Sequence, residues 1–310
     1  MEEKIEIMNL LQSKQVLEHE LQSLAYGSVE IRENESNKYI YVHYREDGVA
    51  LTKYVGEYSD ELYNLVLNNS IKAKQLKKQI REIIKKLKQL NYTEEELSEK
   101  VEQNIDFAKR HLVDTIYKQA ILEGVATTFA DTESIIEGGK VNNMTSEDIL
   151  KIVNLKHAWE FILNKNVILS DTNFALLCEI NKMVEEGFYY TAGKVRNTPV
   201  TIGGTTWKPD LPIESVIKEE LEEIFSKELD DIDRAIELLL YTMKKQVFID
   251  GNKRTAVIYS NHYLISKGKG IIAIPAELTE EFKDLLIPYY EEKDEKQIKK
   301  FIKGKCYMNI

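Results

Sequence analysis

Gln246-Val247-Phe248-Ile249-Asp250-Gly251-Asn252-Lys253-Arg254-Thr255 is the stretch on which the reading of this 310-residue chain turns. An Asp-Gly-Asn turn leads straight into Lys253 and Arg254 and then into an apolar run. Upstream, Ile232, Ala235, Leu238, Leu239, Leu240 and Met243 recur at helical spacing, which predicts an amphipathic helix over 232–245. Downstream, a second helix is expected from Asn252 or Lys253 through Ala256, Val257, Tyr259 and Leu264 to Lys267-Gly268. Asp250-Gly251-Asn252 therefore opens a helix, where unsatisfied N–H groups and the macrodipole favour anions. A Gly-Asn pair at such a point can fold into a backbone anion nest.

The residue types suit a phosphate-bearing ligand. Asp250 is a natural Mg²⁺ ligand, because that ion prefers carboxylate and phosphate oxygens and keeps several waters. Gly251 and Asn252 offer backbone N–H groups with little side chain in the way. Arg254 supplies a planar, permanent cation that grips phosphate through two parallel bonds, and Lys253 adds a point charge. Phe248 is expected to pack beneath the loop. Asp-Gly-Asn alone is a common turn; the ten-position pattern carries the reading.

That pattern closely resembles the Fic/Doc motif, His-x-Phe-x-(Asp/Glu)-Gly-Asn-(Gly/Lys)-Arg. The resemblance covers roughly residues 110–310 and implies a mainly α fold, a Fic-type helical bundle with a small β-hairpin flap. It also implies ATP and Mg²⁺ as cofactors and transfer of AMP, or less often phosphate, to a hydroxyl side chain of a partner protein. Residues 195–207 are Gly-rich, β-like and flanked by helices, and they resemble the flap that holds the target as an added strand. Val200, Thr201, Ile202, Gly203 and Gly204 are its most family-like part, although an ordinary surface hairpin has the same composition. Ser134-Ile135-Ile136-Glu137-Gly138 resembles the inhibitory-helix motif, (Ser/Thr)-x-x-x-Glu-(Gly/Asn), within an expected helix around 127–138. By that resemblance Glu137 reaches into the ATP site. The leading Ser/Thr position is Glu133, and an exposed carboxylate before a helix-ending glycine reads the same way.

Three positions depart from the family pattern. Gln246 stands where the catalytic histidine belongs. A carboxamide can orient a hydroxyl but is no base near pH 7, and losing a general base typically costs ~10²–10⁴-fold. His262 lies ten residues beyond Asn252, about 15 Å along a helix axis and too far to substitute; His157 is not placed by the sequence. Val257 occupies the position of a second arginine found in many members, leaving Arg254 as the evident partner for Glu137. Lys253 replaces the usual Gly, as in the Doc-type kinases, while Gly251 is retained as in the adenylyltransferases. Three functions stay open. They are an atypical transferase in which Gln246 orients the target hydroxyl, a nucleotide-binding pseudoenzyme, and an interaction module led by the amino-terminal region.

Residues 1–92 read as a separate accessory module and 93–310 as the Fic/Doc domain. A helix is expected over 4–25, broken near Ser13. Val29–Arg32, Lys38–Arg45 and Ala50–Val55 then alternate as a three-stranded antiparallel meander. Glu33 to Asn37 reads as a longer polar loop and Asp47-Gly48 as a tight hairpin turn. Residues 59–90 follow as a helix with one apolar stripe and a lysine-rich face from Lys72 to Lys88. That face is either a solvated surface or a basic docking surface. Thr93 and Glu96 form a capping box that opens the second part.

Composition sets outer bounds. The formal net charge of −10 argues against a dedicated nucleic-acid binder, without excluding the basic helix at 71–90. Cys178 and Cys306 are too few for a disulfide framework or a four-cysteine zinc site. No apolar run approaches roughly 20 residues, so no membrane partner is expected. The acidic start, Met-Glu-Glu-Lys-Ile-Glu, has no signal-peptide core, and the cytoplasm is the expected location. Oligomeric state stays open.

Overall fold

A computed structural model describes residues 2–34, 37–46, 49–90, 92, 97–142 and 144–310. The chain divides into two compact units, 1–95 and 96–310. The Thr93–Glu96 capping box and the Asp47-Gly48 turn lie outside the described residues.

In the first unit, α1 (Glu2–Ser23) runs through Ser13 without the expected break; the Ser13 hydroxyl donates to the Asn9 carbonyl one turn back, a bond that a continuous helix tolerates. Strands β1 (Ser28–Asn34), β2 (Asn37–Glu46) and β3 (Val49–Glu57) form an antiparallel sheet in the order β1-β2-β3. Pairing extends through Glu33↔Lys38 and Asn34↔Asn37, so the expected loop over 33–37 is mostly strand. Alternation sends Ile40 and Val42 to one face, where they bury against Val66 of α2 (Asp60–Gln89). Tyr39 and Tyr41 take the other face, with the Arg32 guanidinium 4.3 Å from the Tyr41 ring centre. Ser59 caps α2 by accepting the Leu62 N–H. Val66, Ala73, Leu76, Ile80 and Leu87, spaced three, four or seven residues apart, form its buried stripe.

The second unit is helical: α3 (Glu99–Arg110), α4 (Leu112–Leu122), α5 (Phe129–Ile136), α6 (Ser146–Ile162), α7 (Lys165–Ile168), α8 (Phe174–Val184), α9 (Glu214–Ser226), α10 (Asp231–Lys245), α11 (Asn252–Ser266), α12 (Thr279–Tyr290) and α13 (Lys296–Phe301). A two-stranded ladder, β4 (Ile271–Ile272) with β5 (Tyr307–Met308), closes its end. α10 carries its apolar residues on one face, whereas α11 is buried on every side from Arg254 to Ile265. A helix with no solvent face is the centre of its bundle, and α8, α10, α6 and α3 all pack on it. Trp159, Phe248, Tyr259 and Phe282 fill the core around it.

The expected β-hairpin at 195–207 is a loop without strand pairing. Its backbone bonds go elsewhere: Arg196 N–H donates to the Val247 carbonyl, and the Thr205 hydroxyl holds Glu291 and caps the Trp207 N–H. The Trp207 indole stacks on Tyr290 of α12 at 5.8 Å between ring centres. Side-chain anchoring to a neighbouring helix thus replaces ladder bonds. Among the described residues, no helix is long and apolar enough to cross a membrane.

Candidate functional site

The site grows from the junction of α10 and α11. Helix α10 stops because Gln246 adopts a left-handed conformation, φ 48° and ψ 58°, an uncommon state for a residue with a Cβ. Its neighbours hold it there. The Gln246 side-chain NH₂ donates to the Met243 carbonyl at 2.6 Å, and its Oε1 accepts from Asn252 at 3.2 Å. The Arg196 guanidinium donates to the Gln246, Thr198 and Asp210 carbonyls at 2.6, 2.8 and 2.6 Å. Arg196, itself buried, thus ties the long loop to the turn.

Asn252 staples the turn closed. Its Oδ1 accepts the Phe248 N–H, and its Nδ2 donates to the Phe248 carbonyl. Phe248 itself is buried in the core beneath. Asn181 of α8 performs a second stapling, donating to the Asp250 carbonyl and the Thr255 hydroxyl while accepting the Gly193 N–H. Gly251 sits between at φ 71°, and a Cβ there would fall 2.3 Å from Glu185 Oε1. Both the backbone conformation and the lack of space require glycine.

Arg254 points from the first turn of α11 into a nest of carboxylates. Its Nη2 lies 2.8 Å from Glu185 Oε1 and 3.7 Å from Asp250 Oδ1, and its Nε lies 3.4 Å from Glu123 Oε2. Lys253 reaches Glu123 at 3.5 Å. The side chains of Arg254 and Glu185 are each 3% exposed, whereas that of Asp250 is 51% exposed and faces solvent. Arg254 Nη1 is buried with no partner, whereas Arg254 Nε, Glu123 Oε1 and Glu185 Oε1 meet opposite charges only in ion pairs that miss hydrogen-bond geometry. Burial pushes the Glu185 carboxyl up to about 7 against the pull of the Arg254 cation, with Asp250 and Glu123 adding to the rise. Asp250 also takes the Gly251 N–H on Oδ1 at 2.7 Å.

Other sequence candidates lie on other elements. Glu137 is exposed at the carboxyl end of α5, followed by left-handed Gly138. The carboxylates that meet Arg254 are Glu123, Glu185 and Asp250 instead. His262 is fully buried between Thr172 and the Val167 carbonyl, each at 2.8 Å, and burial holds it down at about 4. Val200 and Ile202 are half-buried along the loop, and Thr201, Gly203 and Gly204 are exposed. Among the described residues, no group of three or more His, Cys, Asp or Glu side chains is arranged to hold a metal.

Residues 171–264, from just before α8 to near the end of α11, match the Fic/DOC family model. This segment is a Fic/DOC domain. A search of curated proteins finds no match to the chain. Among solved structures, the chain is similar to a Fic domain containing signalling protein from Bacteroides thetaiotaomicron VPI-5482. That likeness has 18% identity and a TM-score of 0.51 over 62% of this chain and 76% of that one. Fic-1 from C. elegans shares 17% identity with a TM-score of 0.53, over 79% and 73% of the two chains. A Fic family protein from Desulfovibrio desulfuricans G20 shares 14% identity with a TM-score of 0.55, over 66% and 65%. At these identities the likeness is one of fold.

The sequence pattern does not single out Glu123, or Asn181, Glu185 and Arg196 within the Fic/DOC domain. Glu185 sits in Glu185-Glu186-Gly187, which reads as solvent-facing. The available signal was polar residues in apolar settings, such as Asn181 beside Ile180, Met183 and Val184.

Proposed function

We propose that the Fic/DOC domain binds Mg·ATP at the Asp250–Arg254 turn and transfers AMP to a hydroxyl side chain of a partner protein. The observation that carries this reading is Arg254, a buried guanidinium with two nitrogens, Nε and Nη1, left without hydrogen-bond partners. Buried donors without a hydrogen-bond partner are costly unless a ligand uses them, and two oxygens of a phosphate are acceptors that a planar guanidinium fork suits. They sit at the amino end of α11, beside a glycine with no side chain and a half-exposed carboxylate.

In this reading Asp250 holds the metal through its exposed carboxylate. Arg254 and the first N–H groups of α11 take phosphate oxygens, and Arg254 exchanges its Glu185 contact for the ligand. Mg²⁺ would supply charge neutralisation on the phosphates. The target hydroxyl oxygen bonds to the α-phosphorus, the bond from that phosphorus to the bridging oxygen breaks, and pyrophosphate leaves. The hydroxyl proton passes to solvent. Gln246 orients the hydroxyl: its NH₂ is spent on Met243, but Oε1 accepts only one bond, from Asn252. A carboxamide oxygen has a second lone pair for a substrate O–H.

Binding without turnover is the second reading, favoured by the way Gln246 is tied into its own turn. Incubation with Mg²⁺ and α- or γ-labelled ATP separates the readings. AMP transfer places the α-label on a protein, and Arg254→Ala removes it. Transfer of the γ-label alone replaces AMP with phosphate as the transferred group. Nucleotide binding that needs Asp250 and Arg254, with neither label transferred, establishes the binding reading. Absence of binding overturns both.

A further inference from the structure

Helix α2 carries an unbroken cationic line that the Fic/DOC domain does not use. Lys74, Lys78, Arg81, Lys85 and Lys88 follow one another at spacings of four and three residues, and all five are exposed. At 1.5 Å per residue the line spans about 21 Å. Between residues 71 and 90 there are eight cations and one carboxylate, Glu82, in a chain whose net charge is −10. Glu82 lies 4.0 Å from Lys78. Among the described residues, no carboxylate pairs with Lys74, Arg81, Lys85, Lys86 or Lys88.

The arrangement costs stability in the free protein. Like charges four apart, such as Lys74 with Lys78 and Arg81 with Lys85, repel and weaken the helix. A solvated helix face ordinarily alternates its signs; this one does not. A polyanion removes the repulsion and releases its own counterions. At 0.1 M salt charges beyond about 10 Å are screened, so the local run of cations, more than the net charge of the chain, sets the field a ligand meets at this face.

We propose that the exposed cationic line of α2 docks the phosphate backbone of a nucleic-acid duplex. A repeating row of cations on a straight helix matches a repeating row of phosphates. Single strands are held by aromatic platforms as well as charge, and this line contains no aromatic residue. An acidic protein partner asks for an apolar centre with charges at the rim. Here the exposed apolar residues on the same line, Leu67 and Ile71, lie at one end, outside the cationic run.

The test uses the full chain and a fluorescent 24-base-pair duplex, as DNA and as RNA, followed by anisotropy at several salt concentrations. Five phosphate contacts predict a log–log salt slope of about −4.5, or about a 500-fold loss between 50 and 200 mM salt. Lys85→Gln reduces the slope by about 1. Replacing all five cations with Gln abolishes binding at 50 mM salt, with circular dichroism confirming retained helicity. Lys218→Gln with Lys283→Gln, on other exposed helices, leaves binding unchanged. DNA-only, RNA-only or common binding all support the proposal and name the duplex. No duplex binding at 50 mM salt overturns it, as does binding that survives the five-residue variant. Equal affinity for a single strand, or binding only to poly-glutamate, also overturns it.

Discussion

Glu185 Oε1 lies 2.8 Å from Arg254 Nη2, and both side chains are almost wholly buried. The cation a phosphate would use is therefore already shared with an internal carboxylate. Because burial outweighs the pull of Arg254 on the Glu185 carboxyl, Glu185→Gln, which keeps the shape of the protonated acid, is expected to leave the free protein at least as stable at pH 7. The same change is expected to tighten Mg·ATP binding about tenfold, because the ligand no longer competes for Arg254. Calorimetric titration of both proteins decides it, and weaker binding by the variant would show that Glu185 assists the nucleotide.

The pair also sets a pH dependence in the absence of nucleotide. Glu185 moves from an ordinary 4.5 up to about 7, chiefly by desolvation. Between those values the folded carboxyl keeps a proton the unfolded chain has lost, so stability falls as pH rises from 4.5 to 7, by about 3 kcal/mol at most. His262 opposes it. Its descent from 6.5 to about 4 makes the unfolded imidazole the better proton acceptor, so stability rises with pH over 4 to 6.5. Subtracting the Glu185→Gln stability curve from the native one isolates the first effect. A difference that stays constant from pH 4.5 to 7 contradicts the shift.

Gln246 invites the converse substitution. Gln246→His introduces a base at the turn, and a positioned general base typically contributes ~10²–10⁴-fold. Initial rates of label transfer should rise within that range if the turn orients a hydroxyl. An unchanged rate, with ATP still bound, would place the target hydroxyl elsewhere.

Gly251→Ala is expected to cost about 2 kcal/mol, since it adds left-handed strain to a 2.3 Å collision with Glu185. Because the collision falls on the carboxylate that meets Arg254, nucleotide binding should change together with the unfolding midpoint. A variant that melts lower but binds ATP normally would separate the turn from the site.

Arg196→Lys tests the anchoring of the loop. An ammonium cannot reproduce a planar fork that serves three carbonyls, and buried carbonyls left unpaired cost roughly 1–3 kcal/mol each. The expected loss is about 2–4 kcal/mol, together with faster limited proteolysis within 198–210. Unaltered proteolysis would show that Trp207 and Tyr290 hold the loop without Arg196.

Local order was readable where it depends on short-range pattern. Alternation along Tyr39–Val42 marked the sheet, and the spacing of Leu76, Ile80 and Leu87 marked α2, whereas Val66 and Ala73 of its buried face did not stand out and Leu65 and Ile71, read as part of the stripe, are exposed. The Gly-rich segment at 195–207 suggests a hairpin because glycine and β-branched residues suit a strand locally, while its bonds go to Val247, Glu291 and α12. No pattern within a few residues contains those partners.

The sequence by itself determined the turn from Gln246 to Arg254, its place at a helix start, and a phosphate-suited set of residue types. Neighbours in the chain specify a turn, so this was available without a fold. Only the tertiary structure decided what surrounds Arg254. Glu123 ends one helix and Glu185 another, and both converge on α11 from 131 and 69 residues away in sequence. Their charge state follows from burial, and burial is a property of the packed bundle, not of the residue. Glu137, which a five-residue likeness assigns to the site, is exposed at the end of α5.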